Sequence, residues 1–75
     1  MEQELFDQAA QRWQDMVFRL ALHQLGSYAD ADDAVQEVFL RLWRQKAPFE
    51  SEEHLRRWLL RVTVNWCRDQ LRSPW

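Results

Sequence analysis

Glycine occurs once in this sequence, proline twice and cysteine once. Each scarcity excludes something. A single Gly26 cannot supply the tight turns of an all-β fold, nor a glycine loop that cradles phosphate. A lone Cys67 excludes a disulfide framework and a cysteine metal cluster, and it suits a reducing, cytoplasmic setting. No run of about 18 apolar residues is present, so no membrane insertion is expected. The opening MEQELFDQ is acidic where a signal peptide would be basic. His23 and His54 lie on different predicted helices, without acidic or cysteine partners at ligand spacing, which reads as surface histidine and no metal site. No nucleophile–base pair stands at a useful spacing, so neither an enzyme nor a cofactor is expected.

What remains is aromatic and charged. Five Trp, four Phe and one Tyr are spread over 75 residues, a heavy load that helps a small single-domain core. The net charge of −2 hides a division. Residues 1–37 carry eight acids against two bases, a net −6; residues 38–75 carry eight bases against four acids, a net +4. Such polarity fits two partners or two surfaces, and equally fits solvated faces that happen to segregate.

Periodicity predicts three helices, over about 3–25, 30–45 and 51–72. In the first, Leu5/Phe6, Ala9/Ala10, Trp13, Met16/Val17, Leu20/Ala21 and Leu25 recur at steps of three and four. Its length leaves room for a bend near Trp13 to Asp15. Gly26 sits where a C′ glycine belongs. Asp30 is the expected N-cap of the second helix, with Asp32 and Asp33 in its first turn. That helix should bury Ala31, Ala34/Val35, Val38/Phe39 and Leu42/Trp43. Pro48 disfavours helix at Ala47, Ser51 caps the third helix, and Pro74 ends it. Short connections then give an all-α, three-helix antiparallel bundle as one domain over residues 1–75.

Two surfaces stand out. Around the third helix, at roughly 100° per residue, His54, Arg57, Arg61, Asn65, Arg68 and Arg72 fall in a stripe about 80° wide. Leu55, Trp58, Leu59, Val62 and Trp66 lie to one side of it. Leu60, Val64, Cys67 and Leu71 lie to the other. Arginines at this spacing can contact phosphates, Asn65 can donate and accept at a base edge, and Trp58 offers a stacking surface for an unpaired base. The competing reading makes Trp58 core and the arginines a solvated face with snorkelling stems. A helix-turn-helix is less apt, because the preceding loop exceeds three or four residues. On the second helix, Asp33, Gln36, Glu37, Leu40 and Arg41 share an open face. An apolar Leu40 among charges suits a protein contact, or is a stray leucine on a polar face.

The stretches DADDAVQEVFLRLWR (Asp30–Arg44) and LRRWLLRVTVNWCRDQLR (Leu55–Arg72), with Phe49 between them, closely resemble region 2 of bacterial RNA polymerase sigma factors of the extracytoplasmic-function type. The family's pattern runs D-A-E-D-L-V-Q-E-V-F-L-R-L-W, then a loop with an aromatic residue. A W-L-x-R-I-x-x-N helix follows, with an acid four residues after its Asn, here Asp69. Trp13 matches an aromatic in the family's first helix, so the likeness covers nearly the whole chain.

The resemblance implies roles. The second helix would bind the clamp helices of the largest subunit of core RNA polymerase through Asp33, Gln36 and Glu37, with Leu40 and Arg41 alongside. The third helix would hold the non-template strand of the promoter minus-ten element. Arg61, Asn65 and Arg68 would be central, with Arg57, Trp58 and Arg72 around them. The Gln45–Glu53 loop would form a pocket for a flipped base. An anti-sigma protein is the expected inhibitor. Leu60 stands where an aromatic is common and Trp66 where an aliphatic is usual, departures that bear on core packing and loop shape. The family's second domain, which reads the minus-thirty-five element, has no counterpart in these residues, which stop about where the interdomain linker should begin. A reading from another class is a small helical protein-interaction module without DNA binding, which would have no need of the Arg61–Asn65–Arg68 strip.

Overall fold

The computed structural model describes residues 1–72. Three helices follow in order: α1 Gln3–Leu25, α2 Tyr28–Arg44 and α3 Glu52–Arg72. No strand occurs among the described residues. Ser73–Trp75, with the expected stop at Pro74 and the start of a linker, lie outside them.

Each helix end has a local cause. Gly26 adopts the left-handed region (φ 70°) and its N–H donates to the Leu22 carbonyl at 2.8 Å, closing α1. A side chain at this φ would be strained, so glycine is the fitting residue. Ser27 is already extended, and its Oγ accepts from the Asp30 N–H at 3.3 Å. The cap of α2 is therefore Ser27 rather than Asp30, and the helix begins at Tyr28, two residues earlier than the sequence predicted. The turn needs only two residues because Gly26 reverses the chain by itself. Asp30 falls in the first turn, where its charge meets the positive end of the helix dipole. Ser51 behaves as expected: its Oγ accepts from the His54 N–H at 3.0 Å at the start of α3. Through Trp13 to Asp15, where the sequence left room for a bend, α1 continues as one helical element.

Contacts between rings fix the directions of the helices. Phe6 meets Phe39 and Trp43 edge-on, while Phe18 meets Tyr28. The start of α1 thus lies beside the end of α2, and the reverse, so the two are antiparallel. Leu55 packs in a cluster with Ala9, Val38 and Leu42. Trp66, further along α3, packs at the other end on Ala21, Ala31, Ala34 and Cys67. Hence α3 runs alongside α1 and opposite to α2. All three helix pairs touch, in a bundle of 36 × 20 × 19 Å.

The core has two ends of different character. Val17, Val38, Phe39, Leu42, Leu55 and Leu59 fill the end near the α2–α3 loop. Small side chains, Ala21, Ala31, Ala34 and Cys67, fill the other. Burying Leu59 fully contributes about 1.5–3 kcal/mol. The four described tryptophans do not fill the core. Trp13, Trp58 and Trp66 are half-buried at its margins, and Trp43, expected in the buried stripe, is 40% exposed against Phe6. With only two neighbouring helices, α2 can bury a narrow face, and Trp43 stands at its border. Leu71, placed with the apolar side of α3, is likewise 62% exposed in its last turn. Conversely Thr63 is fully buried, with its hydroxyl donating to the Leu59 carbonyl at 2.7 Å. That bond offsets the cost of taking the hydroxyl out of water. Cys67 is buried as expected, and burial pushes its thiol above the ordinary value.

The capping geometry is testable by thermal or urea unfolding. Ser27→Ala should cost about 1 kcal/mol through the lost cap. Asp30→Ala should cost less, about 0.3–1 kcal/mol, through the dipole alone. Equal losses, or a larger one at Asp30, would return the cap to Asp30.

Candidate functional site

The residues that fix α3 are Leu55, Leu59, Thr63 and Cys67, all buried and each four positions apart. At 100° per residue their centre lies about 180° from that of the cationic stripe. Burying this seam therefore turns His54, Arg57, Arg61, Asn65, Arg68 and Arg72 away from the bundle, and all six are exposed. The flanks are only half-buried, including Trp58, Leu60, Val62, Val64 and Trp66. A helix apolar over most of its circumference is thus buried along one seam rather than all round.

The loop ahead of α3 is pinned by aromatic edges. The Phe49 ring meets Trp58 at 5.6 Å and 70°, and His54 at 5.1 Å and 71°. His54 Nδ1 accepts the Glu50 N–H at 3.1 Å, while its own N–H goes to Ser51. His54 is thereby part of the cap and loop clamp, a role its place in the stripe did not reveal; the Ser51-x-x-His54 spacing was the available signal. Trp58 joins both earlier readings: it packs on the Leu55–Leu59 end of the core and borders the exposed stripe. A second brace crosses from α1. Trp13 Nε1 donates to Glu52 Oε2 at 3.2 Å, and Arg12, 3.7 Å from the same oxygen, lies 5.0 Å over the Trp13 ring.

Charge divides the stripe. Glu53 Oε1 accepts from Arg56 Nη1 and Arg57 Nε, each at 3.2 Å. Arg61 and Arg68 enter no ion pair among the described residues. On α2, Asp33, Gln36, Leu40 and Arg41 are exposed and Glu37 is half-buried. Glu37 Oε2 holds Arg41 Nε at 2.8 Å, so these two act as a pair. Leu40 on this face is 42% exposed.

A cleft of about 400 Å³ opens between the first turns of α1 and the α2–α3 loop, walled by Met1, Leu5, Ala9, Pro48, Phe49 and Leu55. No stripe residue lines it. A smaller one of about 190 Å³, at the opposite end, has Asp33 and Trp66 in its wall. Among the described residues no helix is long and apolar enough to cross a membrane.

Residues 9–75 match the model of the sigma-70 region 2 family. The chain belongs to that family. Several of its relatives are extracytoplasmic-function (ECF) sigma factors. It is 37% identical over 67 residues to the ECF RNA polymerase sigma factor SigM of Mycobacterium tuberculosis, covering 89% of this chain and 34% of that protein. SigE of Mycolicibacterium smegmatis is 35% identical over 72 residues, covering 89% and 26%. SigW of Bacillus subtilis is 27% identical over 72 residues, covering 96% and 38%. No solved structure matches the chain. The region 2 domain described here thus spans about a third of the length of these curated relatives.

The loop clamp of this region 2 domain makes a specific prediction. His54→Ala removes the acceptor for the Glu50 amide and an edge contact for Phe49. Hydrogen exchange at the Glu50 amide should accelerate by about fivefold or more, the equivalent of about 1 kcal/mol. Exchange in the middle of α1 should stay unchanged. An unaltered Glu50 rate would show that the clamp does not depend on His54.

Proposed function

We propose that this domain serves transcription initiation, with α2 docking on core RNA polymerase and α3 gripping single-stranded minus-ten DNA. One observation carries the reading: a strip of Arg61, Asn65 and Arg68 turned outward by the burial of the opposite seam, in a chain of the sigma-70 region 2 family. The arginines supply phosphate contacts, which position a strand, while Asn65 between them supplies both a donor and an acceptor to a base edge. Arg57, Trp58 and Arg72 extend the same surface, Trp58 as a stacking platform beside the loop. The Gln45–Glu53 loop, braced by Phe49 and His54, borders the unpaired strand. Rigid bracing favours holding an unstacked base, since the loop pays little ordering entropy on binding.

On α2, Leu40 is the apolar anchor, and Asp33, Gln36, Glu37 and Arg41 the polar partners, of a contact for the clamp helices of the polymerase's largest subunit. A small apolar anchor ringed by charges fits a specific, reversible association. The two surfaces lie on separate helices and both point outward, so the domain can hold polymerase and strand at once. An anti-sigma protein that covers either face would silence it. The role is one of binding and positioning, without chemical catalysis.

Each surface has its own test. Gln36→Ala with Glu37→Ala should lower capture of core polymerase in a pull-down by about tenfold or more, with helical circular dichroism unchanged. Undiminished capture would refute the α2 assignment. Binding of a non-template minus-ten oligonucleotide, measured with core polymerase present, should weaken with salt at a log–log slope of about −0.7 per phosphate neutralised. A flat salt response would remove the DNA role and leave a protein-interaction module.

A further inference from the structure

The cationic stripe is not uniform, and its first arginine is already occupied. Glu53 precedes Arg57 by four residues on α3, the order in which a Glu–Arg pair is most favourable on a helix. Its Oε1 lies 3.2 Å from Arg57 Nε and 3.2 Å from Arg56 Nη1. The neighbouring acid, Glu52, is directed elsewhere, to Trp13 Nε1 and Arg12 of α1. Of these two acids at the start of α3, one is committed to the bundle and the other to the stripe. The Arg57 and Glu53 side chains are 76% and 54% exposed. Their pair sits in water, and it is weak enough for another anion to exchange into. Arg61, one turn further on, and Arg68 beyond it are not paired in this way among the described residues.

We propose that Glu53 is an intramolecular competitor for the DNA backbone. In the free domain its carboxylate occupies the guanidinium that a phosphodiester would otherwise take, and it sets the boundary of the single-strand track at its loop-proximal end. This rests on the DNA reading of the stripe given above. A strand then meets Arg61 and Arg68 as ready cations. It gains Arg57 only by displacing Glu53, an exchange that returns little affinity. Glu53 is a positioning residue in this scheme: it acts through Arg57 and does not itself contact the strand.

The competition can be read by fluorescence anisotropy with a labelled single-stranded minus-ten deoxyoligonucleotide and this chain, over about 50–200 mM salt. Glu53→Gln keeps the shape and removes the charge. It should tighten binding about two- to fivefold, the range that an exposed ion pair spans. It should also steepen the log–log salt slope by about 0.7, one additional phosphate. With Arg57→Ala already in place, Glu53→Gln should give no gain in affinity. An unchanged salt slope in Glu53→Gln overturns the proposal. So does an equal gain with Arg57 already removed, because the effect would then be simple repulsion between Glu53 and the strand. Arg61→Ala separates the two levels. If it weakens binding while Glu53→Gln does nothing, the DNA reading stands and the competitor falls. If Arg61→Ala has no effect, the DNA reading itself falls.

Discussion

The burial of one seam on α3, Leu55, Leu59, Thr63 and Cys67, is the constraint on which the rest depends. A helix packed by residues four apart can sit against two neighbours in only one rotation. Changing that rotation would expose Leu59 and bury arginine, each at a cost of kilocalories. Once the seam is down, the arginines and Asn65 must face outward. Even the one polar member obeys: Thr63 enters the seam because its hydroxyl finds the Leu59 carbonyl at 2.7 Å. The exposed strip follows from the core, not from any feature of the strip.

The aromatic residues have a different task from the one their number suggests. In a domain this small they would be expected to supply the core's volume. Instead Leu, Val, Phe39 and alanine fill the centre, and the described tryptophans close its edges. Trp58 and Phe49 join the loop to α3, Trp13 joins α1 to α3 through Glu52, and Trp43 leans on Phe6. A ring at a margin keeps its apolar face on the core and its polar edge within reach of a partner, as the Trp13 indole does. These edge contacts converge near the start of α3, beside the loop to which we assign the unpaired strand.

Much of the fold was legible. Steps of three and four gave all three helices, and Gly26, Ser51 and Pro48 placed their ends to within a residue or two, because caps and turns are set by neighbours in sequence. Ser27 was missed because Asp30 is itself a favoured cap residue, and the chain reversal at Gly26, which makes Ser27 the cap, is a feature of the folded backbone. Trp43 and Leu71 were misplaced because periodicity marks an apolar face without saying how much of it a neighbour covers. Of the candidate site, the outward stripe and the α2 face were readable from spacing. Their internal pairing was readable only in part. Glu53 and Arg57 stand at i, i+4, but so do other acid–base pairs. His54 falls in the stripe by spacing, and its bonds to Glu50 and Ser51 tie it to the loop as well.

The sequence by itself determined three helices, their amphipathic faces and the family to which the chain belongs, since those rest on local backbone preference and on motifs contiguous in the chain. Tertiary structure alone decided that α3 runs beside α1, so that Trp13 reaches Glu52 across 39 positions. It also decided that Phe49 closes on Trp58, and that two core ends of unequal bulk leave the larger cleft beside the loop. The reason is physical. Local signals fix torsions and the angular position of side chains. Which neighbour a half-apolar helix meets, and which of its flanks stays bare, depends on the joint packing of all three.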